Sequence, residues 1–322
     1  MEAYIVGRVA AIDIGTNSVR MLVAQVDGFC IKPLYKGLRT TRLGAGVDAD
    51  GVLSPQNVQT TLRAVGEFRE KAFSMGAGRI EVCATSAVRD AANGGVFVER
   101  VRRLGLNARV LDGDREAETG YIGAVLGCGC HGKEIFVVDI GGGSTELVSG
   151  VGFSIKNRKS LDIGAVRMTE RFIKSDPVKT DETVAIERYI AQMIAQKAKD
   201  MTVGDAEMVG IGGTITSLAA VALGMEEYDP DRIHRSVLKR SDVNEILSRL
   251  SALDVRQRRE IPGLHPGRVD IIVAGTIILK SLMEHWNFGR LTISEWDNLE
   301  GVLYQNLIGV DNNTSQISTK KG

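Results

Sequence analysis

Two stretches of the chain nearly repeat each other, and that repeat limits the fold more than any other feature. Ala10 to Val23 reads AAIDIGTNSVRMLV, and Phe136 to Gly150 reads FVVDIGGGSTELVSG. Asp13-Ile14-Gly15 aligns with Asp139-Ile140-Gly141, and Ser18 aligns with Ser144. Each copy is an apolar strand ending in aspartate, a glycine turn, and a strand that returns. A chain carrying this device twice is expected to form two similar lobes with a cleft between them. A third glycine turn, Gly210-Ile211-Gly212-Gly213-Thr214, follows the apolar run that starts at Met208.

Glycine turns can aim several backbone N–H groups inward, and the missing side chains let an anion come close. One such turn would pass for an ordinary hairpin. Two equivalent copies and a third favour phosphate binding, with Asn17, Ser18, Gly141, Gly142, Gly143, Ser144, Thr145 and Gly213 as its residues. A carboxylate beside a phosphate repels it unless a cation stands between. Mg²⁺ or Mn²⁺ is therefore expected near Asp13, Asp139 and Glu146. The turns are neither a G-x-x-x-x-G-K-[ST] loop nor a dinucleotide fingerprint, because DIGGGST leads into a strand.

The rest of the chain reads as α/β. Strands are expected at Val9 to Ile14, Val19 to Val26, Ile31 to Gly37, Ile80 to Thr85 and Ala108 to Leu111. A second series begins at Ile135 and includes Met208 to Ile211 and Leu291 to Ser294. Ser54-Pro55 opens a helix running to about Met75. Others are expected at Phe97 to Leu104, from near Asp114, from Thr180, from Ile215, and at Asp242 to Leu253, Val269 to Met283 and Asp297 to Leu307. Residues 157–159 fall in a polar, basic loop. The Gly-rich GCGCHGK stretch marks a boundary, giving lobes 1–126 and 127–322. The last helix, about 297–308, is expected to return to lobe one.

Forty basic and forty acidic residues leave no net charge, which argues against a nucleic-acid binder. Four cysteines give no disulfide framework, and Cys128-Gly-Cys130-His131 is too compact for a zinc site. No apolar run spans a membrane and no leader is evident, so a cytoplasmic protein without a membrane partner is expected. The stretch after Gly309 is polar and is expected to fray.

Taken together, these residues resemble the exopolyphosphatase/guanosine pentaphosphate phosphohydrolase family, within the actin, sugar kinase and Hsp70 ATPase superfamily. The resemblance rests on both DIG loops, RLGAGVD (42–48), ATSAVRDAANG (84–94), GDREAETGYIGA (113–124), SLDIGAVRMTERF (160–172), GIGGTITSLAA (210–220) and IPGLHPGRVDIIVAGTIIL (261–279). It implies two ribonuclease H-like (actin-like ATPase) lobes, each a mixed sheet flanked by helices. It also implies Mg²⁺-dependent release of orthophosphate from inorganic polyphosphate. The alternatives are hydrolysis of guanosine pentaphosphate (pppGpp), a phosphotransferase, and a sensor of an alarmone such as ppGpp.

By the same resemblance, Glu116 is the base that activates water, with Glu118 as the neighbouring alternative. Arg115 is expected to favour its ionised form. Arg89 matches an arginine near the transferred phosphate and, with Asn17, closes from lobe one. Arg167 fits either a phosphate contact or a salt bridge within lobe two, and Arg20 fits a solvent-facing position. Basic stretches at 157–159, 232–240 and 256–259 are candidates for a polyphosphate groove. The apolar final helices offer a surface for a homodimer.

Overall fold

The computed structural model describes residues 6–130 and 132–307. His131 and the polar stretch after Gly309 lie outside the described residues. Two mixed sheets form the frame. In the first, β1 (Val6–Ile14), β2 (Ser18–Asp27) and β3 (Cys30–Thr40) make an antiparallel meander. On the other side of β1, β4 (Arg79–Ala84) and β5 (Ala108–Val110) run parallel to it, giving the order β3-β2-β1-β4-β5.

The second sheet repeats that plan. Its meander is β6 (Glu134–Ile140), β7 (Thr145–Val151) and β8 (Ser154–Leu161). β9 (Glu207–Ile211) and β11 (Arg290–Ile293) continue in parallel, with β10 (Val237–Lys239) antiparallel at the edge. β1 and β6 are central and covered on both faces, which is why they read as near-continuous apolar runs. This is the two-lobed α/β architecture that the sequence implies.

Two helices tie the lobes together. Gly113–Cys128 lays Tyr121, Ala124 and Val125 on Ile135, Val137 and Val148 of the second sheet. Asn298–Leu307 lays Leu299, Val302 and Leu303 on Val9, Ala11 and Leu22 of the first. They cross at glycines. A Cβ on Gly123 would stand 2.0 Å from the Asp297 carbonyl oxygen, and one on Gly301 2.0 Å from that of Thr119. This close crossing brings Glu116 and Asn298 into the lining of one cleft, with Asp297 next to Asn298.

Several local expectations need correction. Residues 157–159 belong to the edge strand β8, where an open flank accepts polar side chains, and not to a loop. Gly212 begins the Gly212–Ala222 helix, so the third glycine turn is a helix N-terminus. Ser86–Asp90 and Ala165–Phe172 are further short helices that the sequence reading did not assign. The Pro55–Ser74 helix is capped as expected, the Ser54 hydroxyl accepting from the Asn57 amide. Among the described residues no helix is long and apolar enough to cross a membrane.

Candidate active site

The duplicated turns share one hydrogen-bond plan. The amide of Gly15 donates to Ser18 O at 3.0 Å, and that of Gly141 to Ser144 O at 3.0 Å. The turn carbonyls are tied back into their own lobes. Thr16 O accepts from Gly44 N, and Asn17 O from Thr41 N and Arg42 N. Gly141 O accepts from Ala165 N, and Gly142 O from Val166 N and Arg167 N. With the carbonyls held this way, the amides of Thr16, Asn17, Gly142 and Gly143 have no protein partner among the described residues. The first-turn amides of Gly212 and Gly213 are also unpaired, as at any helix start, and sit at the positive end of the helix dipole.

All three turns line one interlobe cleft of about 550 Å³. Asn17, Ser18, Gly141, Gly142, Gly213, Asp13, Asp139 and Glu116 face it. Gly143 lines an adjoining cavity of about 250 Å³. Ser144, Thr145, Glu146 and Arg89 stand behind the lining, so the hydroxyls of Ser144 and Thr145 are not the phosphate donors expected of them. The Thr145 hydroxyl donates to the Ile163 carbonyl, and the Ser144 hydroxyl is spent on Glu146. The Asn17 side chain donates to Gly267 O at 3.2 Å, joining the lobes.

Strand register gives the two cradles opposite electrostatics. Asp13 pairs across β1–β2 with Arg20, whereas Asp139 pairs across β6–β7 with Glu146. Arg20 does not point to solvent. It donates to Asp13 at 2.5 Å and 3.2 Å and also ion-pairs with Asp297. Among the described residues Asp139 has no such counterion, and it is pushed up to about 7, first by burial and then by Asp297. Burial, Glu116 and Asp139 raise Glu146 well above its ordinary value, and Ser160 donates to it at 2.8 Å. Among the described residues no three His, Cys, Asp or Glu side chains gather closely enough to hold a metal alone. Asp13 is taken by Arg20. The uncompensated acid pair Asp139 and Glu146 does fit a divalent cation that keeps waters and phosphate oxygens as its other ligands.

Glu116 occupies the first turn of its helix, which Asp112 caps by accepting from Arg115 N at 2.8 Å. Its carboxylate is 8% exposed and accepts from Arg89 Nη1 at 2.9 Å. The same nitrogen also donates to Leu111 O at 2.9 Å. Arg89 therefore orients Glu116, and it is not itself among the residues lining the cleft. Burial pushes Glu116 up to about 7, with Arg89 opposing the rise. Arg115 is exposed on another face of the helix, so the expected help from it is absent. Glu118 is half-buried and pairs with Arg158 at 3.5 Å, away from the cleft.

A family model described as the Ppx/GppA phosphatase family matches residues 22–308. The chain belongs to that family. It is 36% identical over 310 residues to a protein named Exopolyphosphatase 2 of Mycobacterium tuberculosis (strain ATCC 25618 / H37Rv), covering 92% of this chain and 97% of that one. It is 31% identical to the Guanosine-5'-triphosphate,3'-diphosphate pyrophosphatase of Vibrio atlanticus, covering 92% of this chain but 58% of that longer one. The crystal structure of the Aquifex aeolicus Ppx/GppA family member superposes with a TM-score of 0.79 at 30% identity, covering 97% of this chain and all of that one.

Within this Ppx/GppA chain, sequence reasoning missed several residues of the site, among them Arg20 as a counterion, Arg268 and Asn298 in the cleft lining, and Asp297 as a partner of Arg20. Arg268 lines the cleft with no carboxylate in ion-pair reach among the described residues, and burial together with Arg20 lowers it to about 10. The signal for Arg20 was present, since a hairpin that pairs residues 139 and 146 must pair 13 with 20 in its duplicate. Part of the charge in the three basic stretches is already committed within the protein. Lys159 pairs with Asp200, Arg235 is bound to the Gly127 carbonyl, and Arg258 is buried against Asp176 and backbone carbonyls.

Proposed function

We propose that the protein is an exopolyphosphatase, hydrolysing the terminal phosphoanhydride of inorganic polyphosphate and releasing orthophosphate. One observation carries the proposal: a buried carboxylate, Glu116, lies in the same cleft as amide cradles from both lobes, and its pKa of about 7 suits a base at neutral pH. The relative named exopolyphosphatase, similar along nearly its whole length, supports the same reading.

In this mechanism the unpaired amides of the two duplicated turns and of Gly212 and Gly213 hold the phosphate oxygens. Arg268 adds a positive side chain in the cleft lining with no counterion among the described residues. Arg89 fixes the Glu116 carboxylate, which takes the proton of an attacking water. Charge on the transferred group is spread over its oxygens, so positioned donors and a base are the protein's main contribution. Asp139, backed by Glu146, would hold Mg²⁺ or Mn²⁺, which supplies charge neutralisation beside the phosphate.

The relatives named for guanosine-5'-triphosphate,3'-diphosphate favour a second reading, hydrolysis of pppGpp by the same residues. The test is orthophosphate release in Mg²⁺ from long-chain polyphosphate, pppGpp and ATP. Release from polyphosphate that Glu116→Gln abolishes is the expected outcome. Turnover of pppGpp alone selects the second reading, and no release from any of the three overturns both.

A further inference from the structure

The Ala165–Phe172 helix grows out of the second cradle, its first amides bound to the carbonyls of Gly141 and Gly142. Positions 167, 170 and 171 share one face of it, three and four residues apart. That face meets lobe one. Arg167 ion-pairs with both Asp48 and Asp90, Arg171 is bidentate on Asp48, and Glu170 accepts from Gly46 N at 3.1 Å. The Arg167 side chain is only 15% exposed, and its Nε donates to Gly143 O at 2.8 Å. This is not the salt bridge within lobe two that the sequence allowed; it crosses the cleft.

We infer that Arg167 is a positioning residue that sets the distance between the water-activating carboxylate and the second phosphate cradle. One guanidinium holds the cradle at Gly143 and grips Asp90 on the Ser86–Asp90 helix. The residue before Asp90 is Arg89, which orients Glu116. The chain of contacts from Gly143 to Arg167, Asp90, Arg89 and Glu116 links the phosphate loop of lobe two to the lobe-one arginine that orients the base. Beside it, the Thr16 and Ser86 hydroxyls bond at 2.8 Å, and a Cβ on Gly143 would come 2.6 Å from Ser86 Oγ, so the lobes are already in tight contact there. A planar fork meets two carboxylates and a carbonyl together, which an ammonium cannot do.

This inference rests on the reading of Glu116 as the base, and its test separates the two. For Arg167→Met, orthophosphate release from polyphosphate is expected to lose roughly 10- to 100-fold in kcat, with KM moving by less than about threefold, because the cradle amides remain. Arg167→Lys is expected to recover only part of the loss. Asp90→Asn is expected to lower kcat in the same direction, and Arg167→Met/Asp90→Asn to be no worse than Arg167→Met alone. Amide hydrogen exchange in Arg167→Met is expected to quicken at residues 86–90 and 141–145 but not in the Pro55–Ser74 helix. Additive losses, kcat within about twofold of the parent, or exchange quickened uniformly would each overturn the inference. If the parent releases no phosphate from polyphosphate, the functional reading fails and the exchange pattern still decides this one.

Discussion

Replacing Glu116 with glutamine separates the chemistry of this site from its cost in stability. The carboxylate is 8% exposed and its pKa rises from an ordinary 4.5 to about 7, first through burial. Between those two pH values the folded protein holds a proton that the unfolded chain has lost. Stability therefore falls as pH rises through this window and levels off above about 7. At 1.36 kcal/mol per pH unit, the full penalty is about 3 kcal/mol. Glutamine keeps the shape and cannot ionise, so the penalty vanishes. That penalty already contains the attraction of Arg89, which acts only on the ionised form, and Arg89 is 23% exposed and keeps its bond to Leu111 O. Urea unfolding at pH 5 and at pH 8.5 reads the difference. The stability of Glu116→Gln relative to the parent is expected to rise by up to about 3 kcal/mol between them, while orthophosphate release falls by roughly 10²- to 10⁴-fold. A relative stability that stays flat across this range, or falls, would refute the claim that the ionised form is held against burial.

Three further tests address neighbouring parts of the site. Arg89 opposes the rise of Glu116, so in Arg89→Met the acid limb of the kcat–pH profile is expected to move above 7, with activity partly regained at higher pH. Gly212 has φ 83° and a Cβ there would stand 2.2 Å from Asp139 Oδ1. Gly212→Ala is expected to cost about 1–2 kcal/mol for the backbone alone, measured by thermal unfolding, and to weaken phosphate binding by calorimetry. Chelation is expected to stop orthophosphate release and Mg²⁺ or Mn²⁺ to restore it. Asp139→Asn is expected to raise the cation concentration needed at least tenfold (one lost charge beside the ion, about 1.4 kcal/mol or more).

Much of the frame was legible because burial leaves a pattern in the chain. β1, β6 and β9 are covered on both faces and appear as apolar runs, and Ser54-Pro55 announces its helix in two letters. The cradles were legible because only glycine serves at positions such as Gly142, where a Cβ would lie 2.8 Å from Thr16. What stayed hidden is non-local. Nothing near Arg89 names Glu116 as its partner, and nothing near Arg167 names Asp48 and Asp90. β8 escaped because an edge strand does not need an apolar face on every second residue. Arg258 in RQRR read as a candidate for the polyphosphate groove and is 2% exposed, since Leu250 O, Val269 O and Asp176 satisfy its donors.

The duplication also gives the two lobes opposite electrostatics at one equivalent position. Both hairpins place an aspartate at the end of the inner strand and face it with the residue seven positions later. In lobe one that residue is Arg20, and the pair is neutral and closed by a short ion pair. In lobe two it is Glu146, and two carboxylates confront each other on adjacent strands, an arrangement that destabilises a sheet when both are charged. Protonation relieves it, which is the direction in which both groups move. Near neutral pH that relief is lost for Asp139, and a phosphate docking on Gly141 and Gly142 would add further negative charge at the same point. Arg20 is committed to Asp13 and Asp297, and Arg268 is a single charge. A divalent ion held by Asp139 would offset that negative charge, which is the role proposed for Mg²⁺ or Mn²⁺. The two hairpins thus differ at one position: Arg20 neutralises the first aspartate, and Glu146 leaves the second without a counterion among the described residues.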